Sequence, residues 1–233
     1  MTVDVYGSLA DRRLTEWLVH EKARDEREKD EACAVRSEQL VITISRQFGA
    51  GGHTIAEKLA ERLGNPWQVW DMQIIEAIAE SSKARADMIR SLDERTQTWL
   101  EQTLKSFMHS PVMAHATYRR HLVSVLVAIA HQGRKIILGR GANCVLTEGL
   151  HVRLRASLDF RIHETMRREH LSLDAAQRWA HDVDDRRAQF VRTMFNKEVD
   201  DPGCYHMTIT TDSMGVDATI ASIIAALNAR TAG

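Results

Sequence analysis

A chain of 233 residues with 44% hydrophobic and 27% charged content can bury a full core and fits one α/β domain carrying an insert. Its formal net charge of −1 gives no global attraction to nucleic acid or to a membrane surface, so an anionic ligand has to be recognised by local arginines. No apolar run reaches the length of a membrane span, no secretory signal precedes the first charges, and Cys33, Cys144 and Cys204 are far apart without a CxxC spacing. A disulfide framework and a cysteine zinc site are therefore not indicated, and a cytoplasmic location is the expectation.

Residues 1–38 differ in character from the rest of the chain and read as an added N-terminal helix. Leu14, Trp17 and Leu18 make a small apolar face, and the run EKARDEREKDE then mixes both signs, with pairs such as Lys22 with Glu26 and Asp25 with Lys29. A solvated helix is the plain reading. The alternative is a partner or self-association arm anchored by Trp17, which would make the chain a homo-oligomer through this helix.

From residue 39 the pattern changes. Val41, Ile42 and Ile44 form a short β-branched run suited to a strand buried on both faces. Ile55, Leu59 and Leu63, with Ala56 and Ala60, then mark one face of a helix, and Gly64, Asn65 and Pro66 stop it. Between strand and helix lies Ser45-Arg46-Gln47-Phe48-Gly49-Ala50-Gly51-Gly52-His53-Thr54. A helix starting at Gly52 or His53 points its unpaired amides and positive dipole end into this glycine turn, which makes an anion site. In the phosphate loop GxxxxGK[ST], backbone N–H groups cradle phosphate, a lysine reaches the β and γ oxygens, and a hydroxyl holds Mg²⁺. Gly49, Ala50 and Gly51 fit the cradle and Thr54 comes after them as a metal-binding hydroxyl. Gly52 and His53 stand where the lysine belongs, and the nearest cation is Arg46. The bland alternative is a tight turn with no ligand.

Trp67 to Asp71 reads as a second strand ending in a carboxylate. Helical spacing then dominates: Met72 to Ala79, Trp99 to Met108, and a strongly apolar stretch from His121 to Ala130 that Gly133 closes. Lys135 to Leu138 is a third strand leading into Gly139-Arg140-Gly141-Ala142-Asn143. Val152 to Leu154 is a fourth, Met207 to Thr211 a fifth, and Val216 to Leu227 a closing helix. Strands alternating with helices imply a parallel sheet covered by helices on both faces, with ligands at the carboxyl ends of its strands. That places the glycine loop, Asp71 and Arg140 on one rim.

Arg140 sits between two glycines at a strand end, where its planar fork suits a phosphate dianion. A salt bridge to a carboxylate is the competing explanation. Arg161, Arg167, Arg168, Arg178, Arg186, Arg187 and Arg192 recur along the next helical stretch with Glu164, Glu169, Asp184 and Asp185 among them. For most of these, ion pairing on an exposed helix is the better account. Arg186 and Arg187 are the candidates for covering a migrating phosphoryl group. The histidines at 109, 115, 121 and 131 lack the HExxH spacing of a zinc site.

The segments ITISRQFGAGGHTI, IILGRGAN, DDRRAQF and DPGCY, taken together and in this order, resemble the cytidylate kinase-like family, a branch of the P-loop nucleoside monophosphate kinases. The likeness covers residues 40 to 228 and leaves the N-terminal helix as an extra. It implies a three-layer α/β/α P-loop NTPase fold with a five-stranded parallel sheet, a helical monophosphate-binding insert at 72–132 and an arginine-bearing lid at 158–200. It implies transfer of the γ-phosphoryl of ATP to a nucleoside monophosphate such as CMP or dCMP, with Mg²⁺. By role, Gly49, Ala50, Gly51, Gly52 and His53 would cradle donor phosphate, Thr54 or Ser45 would approach the metal, and Arg46 would replace the lysine charge. Arg140 with Asn143 would hold the acceptor, Arg186 and Arg187 would cover the transferring group, and Asp71 would orient the acceptor or a metal-bound water. Two other readings stay open: a nucleotide-binding regulatory protein with little transfer activity, and a kinase of a small molecule that is not a nucleotide.

Overall fold

Val41–Arg46 (β1) is buried over its first four residues and lies inside a sheet rather than at its edge. The computed structural model describes residues 9–19, 40–92, 94–108 and 115–231. The charged run of residues 22–29, Cys33 and His109 lie outside them. Five strands, β1, Gln68–Trp70 (β2), Lys135–Leu138 (β3), Leu150–Arg155 (β4) and Met207–Thr210 (β5), form one parallel sheet in the order β2-β3-β1-β4-β5. β1 pairs with β4 in the register Ser45 to Arg153, and β4 pairs with β5 in the register Val152 to Met207. The connection from β1 runs towards one edge of the sheet, whereas β4 and β5 extend it towards the other. The carboxyl end of β1 is thus the reversal point where open parallel sheets bind ligands.

The chain divides into two units. One contains the described residues within Met1–Val41 together with Trp70–Lys135. Its centre is α6, Ala116–His131, whose Leu122, Val123, Val125, Leu126, Val127 and Ile129 are all buried. A helix apolar on every side needs neighbours on every side, and Met72–Glu80 (α3), Ser82–Arg90 (α4) and Glu94–Met108 (α5) supply them. The N-terminal helix, residues 9–19 (α1), adds buried Ala10, Leu14 and Trp17. Gln132 Nε2 donates to the Trp17 carbonyl at 2.8 Å. Trp17 is fully buried in this structure, so its indole is covered by the chain's own residues.

The other unit, Ile42–Val69 and Ile136–Gly233, carries β1, Gly52–Leu63 (α2), most of β3, Ala142–Val145 (α7), β4, Leu158–Glu169 (α8), Leu173–Phe195 (α9), β5 and Thr211–Thr231 (α10), the last broken at Gly215. Ile55, Ala56 and Leu59 of α2 are fully buried and α2 packs against α10. Thr211, which the sequence pattern assigns to the end of β5, begins α10 instead. Its Oγ1 donates to the carbonyls of Ala50 (3.1 Å) and Arg155 (3.2 Å), tying the glycine loop to β4. Towards the amino ends of the strands, His151 and His206 stack at 4.8 Å, with Thr43 Oγ1 2.8 Å from His151 Nδ1. No helix among the described residues is long and apolar enough to cross a membrane.

Candidate active site

Two glycines of the loop, Gly49 and Gly52, stand where neighbouring atoms leave no room for a Cβ. Gly49 (φ 79) packs on α8 so closely that a Cβ would lie 2.8 Å from the Arg161 carbonyl oxygen. Gly51 caps α2 in the left-handed region (φ 76), which glycine adopts at little cost. α3, α4, α8 and α9 each start with a side chain bonded to a first-turn amide, from Asp71, Ser81, Ser157 and Ser172. α2 has no such cap. Its orphan amides face the loop as donors for an anion.

Arg46 ends β1 and runs across the start of α2. A Cβ on Gly52 would stand 2.7 Å from Arg46 Cγ and 3.1 Å from its Cβ, and a Cβ on Gly139 would collide with Arg46 Nη1. The two glycines mark the path of this side chain. The aliphatic stem therefore passes the first residue of α2, where the superfamily lysine would root, and the guanidinium reaches Gly139 in the turn that carries Arg140.

That turn holds three successive residues at positive φ: Gly139 (87), Arg140 (51) and Gly141 (64). A non-glycine residue held there is uncommon and stores strain of order 1 kcal/mol, a pattern seen at functional sites. The Arg140 guanidinium carbon sits 4.7 Å from the centroid of the Phe190 ring on α9, and a Cβ on Gly141 would collide with Phe195 of the same helix. Asn143 in α7 donates through Nδ2 to the Cys204 carbonyl at 3.5 Å, facing the Pro202–Cys204 turn before β5.

α8 and α9 bring the second set of charges. Asp184 Oδ1 accepts the Phe48 N–H at 2.7 Å, and its other oxygen pairs with Arg161 Nη1 at 2.5 Å. Arg161 Nη1 also donates to the Phe48 carbonyl at 3.3 Å. Arg187 Nη1 donates to the Arg46 carbonyl at 3.2 Å and lies 3.8 Å from Asp184. Burial pushes the Arg187 guanidinium below its ordinary value; Asp184 opposes this, and nearby Arg153 and Arg140 push it down further. Phe48 stacks with Trp179 of α9 at 5.8 Å.

The structure thus brings Arg46, Arg140 and Arg187 around the end of β1 and the glycine loop. Arg186 does not join them: it is exposed and its Nε donates back to the Asp182 carbonyl at 3.2 Å. Consecutive helical residues point about 100° apart, so only one of the pair faces the loop. Asp71 is the N-cap of α3, accepting the Ile74 N–H at 3.0 Å. The His53 side chain turns out to Glu57 at 3.2 Å, and Thr54 is exposed in the first turn of α2. Ser45 Oγ accepts from Arg153 Nη1 at 2.8 Å and lies 3.3 Å from Tyr205 Oη. A hydroxyl already taking a bond from a guanidinium is poorly placed for a cation, so Ser45 belongs to the arginine side of the site.

Arg153, which the sequence pattern does not single out, is the other guanidinium here. It is 5% exposed in the middle of β4. Its strand alternates apolar Leu150, Val152 and Leu154 with polar His151, Arg153 and Arg155, a pattern that reads as an ordinary half-exposed strand, yet Arg153 is buried.

A family model for the cytidylate kinase-like family matches residues 41–213. The chain belongs to the cytidylate kinase-like family. Membership supports a kinase-type phosphotransferase. No curated protein matches the chain. Among solved structures, an uncharacterized protein from Eubacterium ventriosum ATCC 27560 aligns with a TM-score of 0.63 at 20% identity, covering 82% of this chain and 99% of that one. This likeness shows the fold. Shikimate kinase from Bacteroides thetaiotaomicron aligns with a TM-score of 0.43 at 14% identity, covering 81% of this chain and 98% of that one.

Proposed function

We propose that this member of the cytidylate kinase-like family transfers the γ-phosphoryl group of ATP to the phosphate of a nucleoside monophosphate, with CMP and dCMP as the first acceptors to test. The observation that carries the reading is the course of Arg46 across Gly52 to Gly139. It supplies a cation at the uncapped start of α2, where the loop lacks its lysine. In the transfer, the bond from the γ phosphorus to the ADP oxygen breaks as a bond to an acceptor phosphate oxygen forms, and ADP leaves with the electron pair.

Each part has a physical role. The amides at Gly51, Gly52 and His53 bind donor phosphate, and Arg46 offsets charge on the β and γ oxygens. Arg140, preset by its strained turn, grips the acceptor dianion through two parallel bonds. Arg187, held on the Arg46 carbonyl, stabilises charge on the migrating group. Asn143 orients the acceptor beside Arg140.

Mg²⁺ fits this site through Thr54 and the donor phosphates. Among the described residues there is no group of three or more His, Cys, Asp or Glu side chains able to hold a metal, and Mg²⁺ bound to a nucleotide draws its ligands largely from phosphate and water. It would neutralise charge on the donor phosphates.

The test is a panel of nucleoside monophosphates with ATP and Mg²⁺, following ADP formation and acceptor phosphorylation together. Equal amounts of both, with a cytidine monophosphate preferred, is the expected result. ATP binding with no phosphate moved to any monophosphate would overturn the proposal in favour of a regulatory nucleotide-binding protein. Phosphorylation of a neutral alcohol alone would overturn the acceptor class.

A further inference from the structure

Arg153 stands between Val152 and Leu154, both fully buried, at a position where a parallel strand covered on both faces normally carries a β-branched residue. Its Nη1 donates to Ser45 Oγ at 2.8 Å and its Nη2 to Asp200 Oδ1 at 2.9 Å, and the guanidinium carbon lies 6.0 Å from the Tyr205 ring centroid. Nε is buried and has no hydrogen-bond partner among the described residues. The counterion is not buried with it: the Asp200 side chain is 59% exposed.

This pairing is unbalanced. A guanidinium taken out of water is costly unless its partner is close, fixed and equally dry, and a carboxylate that is mostly in water is a weak partner. The neighbourhood makes the imbalance worse. Arg153 hangs on the Ser45 side chain and Arg187 on the carbonyl of the next residue, Arg46. Arg153 and Arg140 both act on Arg187 as like charges. Arg153, with a mostly exposed counterion, and Arg187, 3.8 Å from the Asp184 carboxylate, thus stand close together at the end of β1, where a dianion would be favoured.

We propose that Arg153 is a phosphate-binding residue of this site, and that Asp200 is its resting counterion, displaced when a phosphate dianion arrives. The inference rests on the phosphotransfer reading above and adds a residue and an exchangeable ion pair to it. Asp200 lies after α9 and before the Pro202–Cys204 turn, so its release frees Nη2 while Ser45 continues to hold Nη1. The guanidinium thereby keeps its orientation and gains a free donor edge.

The test is titration of the full chain with inorganic phosphate by calorimetry, at fixed ionic strength and without ATP. Asp200→Asn removes the competing carboxylate and should tighten phosphate binding about threefold, the scale of an exposed ion pair. Arg153→Met should weaken it at least about tenfold, and Arg153→Lys by less, since lysine keeps the charge and loses the fork. Glu198→Gln is the control. It makes the same change in net charge, but Glu198 pairs with exposed Arg192 at 2.7 Å, and it should leave the affinity unchanged. A merely structural ion pair predicts a lower melting temperature for Asp200→Asn with no gain in affinity. That result, or equal tightening by Glu198→Gln, would overturn the inference. Should Arg153→Met not fold, Asp200→Asn and Arg153→Lys decide the matter alone. Because phosphate binding is read without turnover, the expected pattern in a protein that moves no phosphoryl group would sink the transfer reading and leave this one standing.

Discussion

Replacing Gly52 by alanine is the sharpest probe of the site, because it adds one methyl group and should disable a residue elsewhere. The new Cβ would stand 2.7 Å from Arg46 Cγ and 3.1 Å from Arg46 Cβ. Non-bonded carbons settle at about 3.5 to 4.0 Å, so the arginine stem has to retreat by about 1 Å. It cannot do so at its free end alone. The colliding atoms are next to the backbone, and Arg187 holds the Arg46 carbonyl at 3.2 Å. The shift is therefore passed to the guanidinium. A misplacement of about 1 Å at a reacting centre costs about 10²-fold in rate, equivalent to about 2.7 kcal/mol. The fold should not suffer, since alanine in a helix is favoured over glycine by about 0.5 to 1 kcal/mol and Gly52 is not at a positive φ. Steady-state ADP formation with CMP, alongside thermal unfolding, separates the two effects. Gly52→Lys restores the superfamily lysine yet should be as impaired as Gly52→Ala, because both stems claim one volume. The pair Arg46→Gly with Gly52→Lys should recover part of the loss. Wild-type kcat and KM for ATP in Gly52→Ala, or full activity in Gly52→Lys alone, would refute the argument.

Three further outcomes are expected. Arg187→Ala should lower kcat by about 10²-fold or more, as removal of a donor to developing charge does, whereas Arg186→Ala should stay within about twofold because its exposed guanidinium serves only its own helix; equal losses in both would break the assignment. Asp184→Ala strips the Phe48 N–H of its acceptor and the buried Arg161 guanidinium of its carboxylate, leaving Arg161 the Phe48 carbonyl, and should cost about 3 kcal/mol of stability, read from urea unfolding; a loss below about 1 kcal/mol would show that the contact does not fasten α9 to the loop. The third concerns acid stability. Burial, aided by neighbouring His206, lowers His151 to about 4 from 6.5. The unfolded chain then takes up the proton first, so stability is intact above about pH 7 and falls by up to about 3 kcal/mol as pH drops from 6.5 towards 4. His206, also lowered by burial, acts in the same direction. Urea midpoints measured from pH 7.5 to 4.5 should decline, and His151→Gln should flatten the decline. An unchanged slope in that variant would rule His151 out as the cause.

The range of the interactions decides which elements can be read from the chain. β1, α2 and β3 are legible because each is specified locally: a short apolar run, a helical apolar face with glycine at its end, and another apolar run before Gly139. α4 escapes sequence reasoning, since Ser82–Arg90 buries only Ala84 and Met88 and leaves too sparse a period. α7 escapes it because it is four residues long. The pair Arg186 and Arg187 is visible as chemistry, but helical phase decides which faces the loop, and that phase is set by packing of α9 on Phe48 and Gly141. Arg153 is invisible for a stronger reason. Its partners Ser45 and Asp200 lie 108 and 47 residues away, and in the alternating run LHVRLR nothing local separates Arg153 from Arg155. Trp17 is recognisable as an apolar anchor, but that its surface is covered by the chain itself depends on tertiary packing.

The absent lysine looks different once the arginines are placed. In the superfamily pattern one cation roots at the first residue of the helix and reaches back over the phosphates. Here the cation roots one strand residue before the loop and reaches forward over the same helix start, and the glycines at 52 and 139 are the space it needs. On the reading proposed above, the positive charge is kept in number and moved in origin. Moving it has a consequence for its neighbours. A lysine on α2 leaves the Arg46 position free for glycine, whereas an arginine there carries its guanidinium to Gly139, the first residue of the turn that holds Arg140. The end of β1 then becomes the point on which cations from β1, the β3 turn, β4 and α9 all converge. Arg153 and Arg140 act on Arg187 as like charges, and an incoming phosphate would offset that repulsion. Binding should accordingly depend more steeply on ionic strength than in a loop whose charge is one solvated lysine.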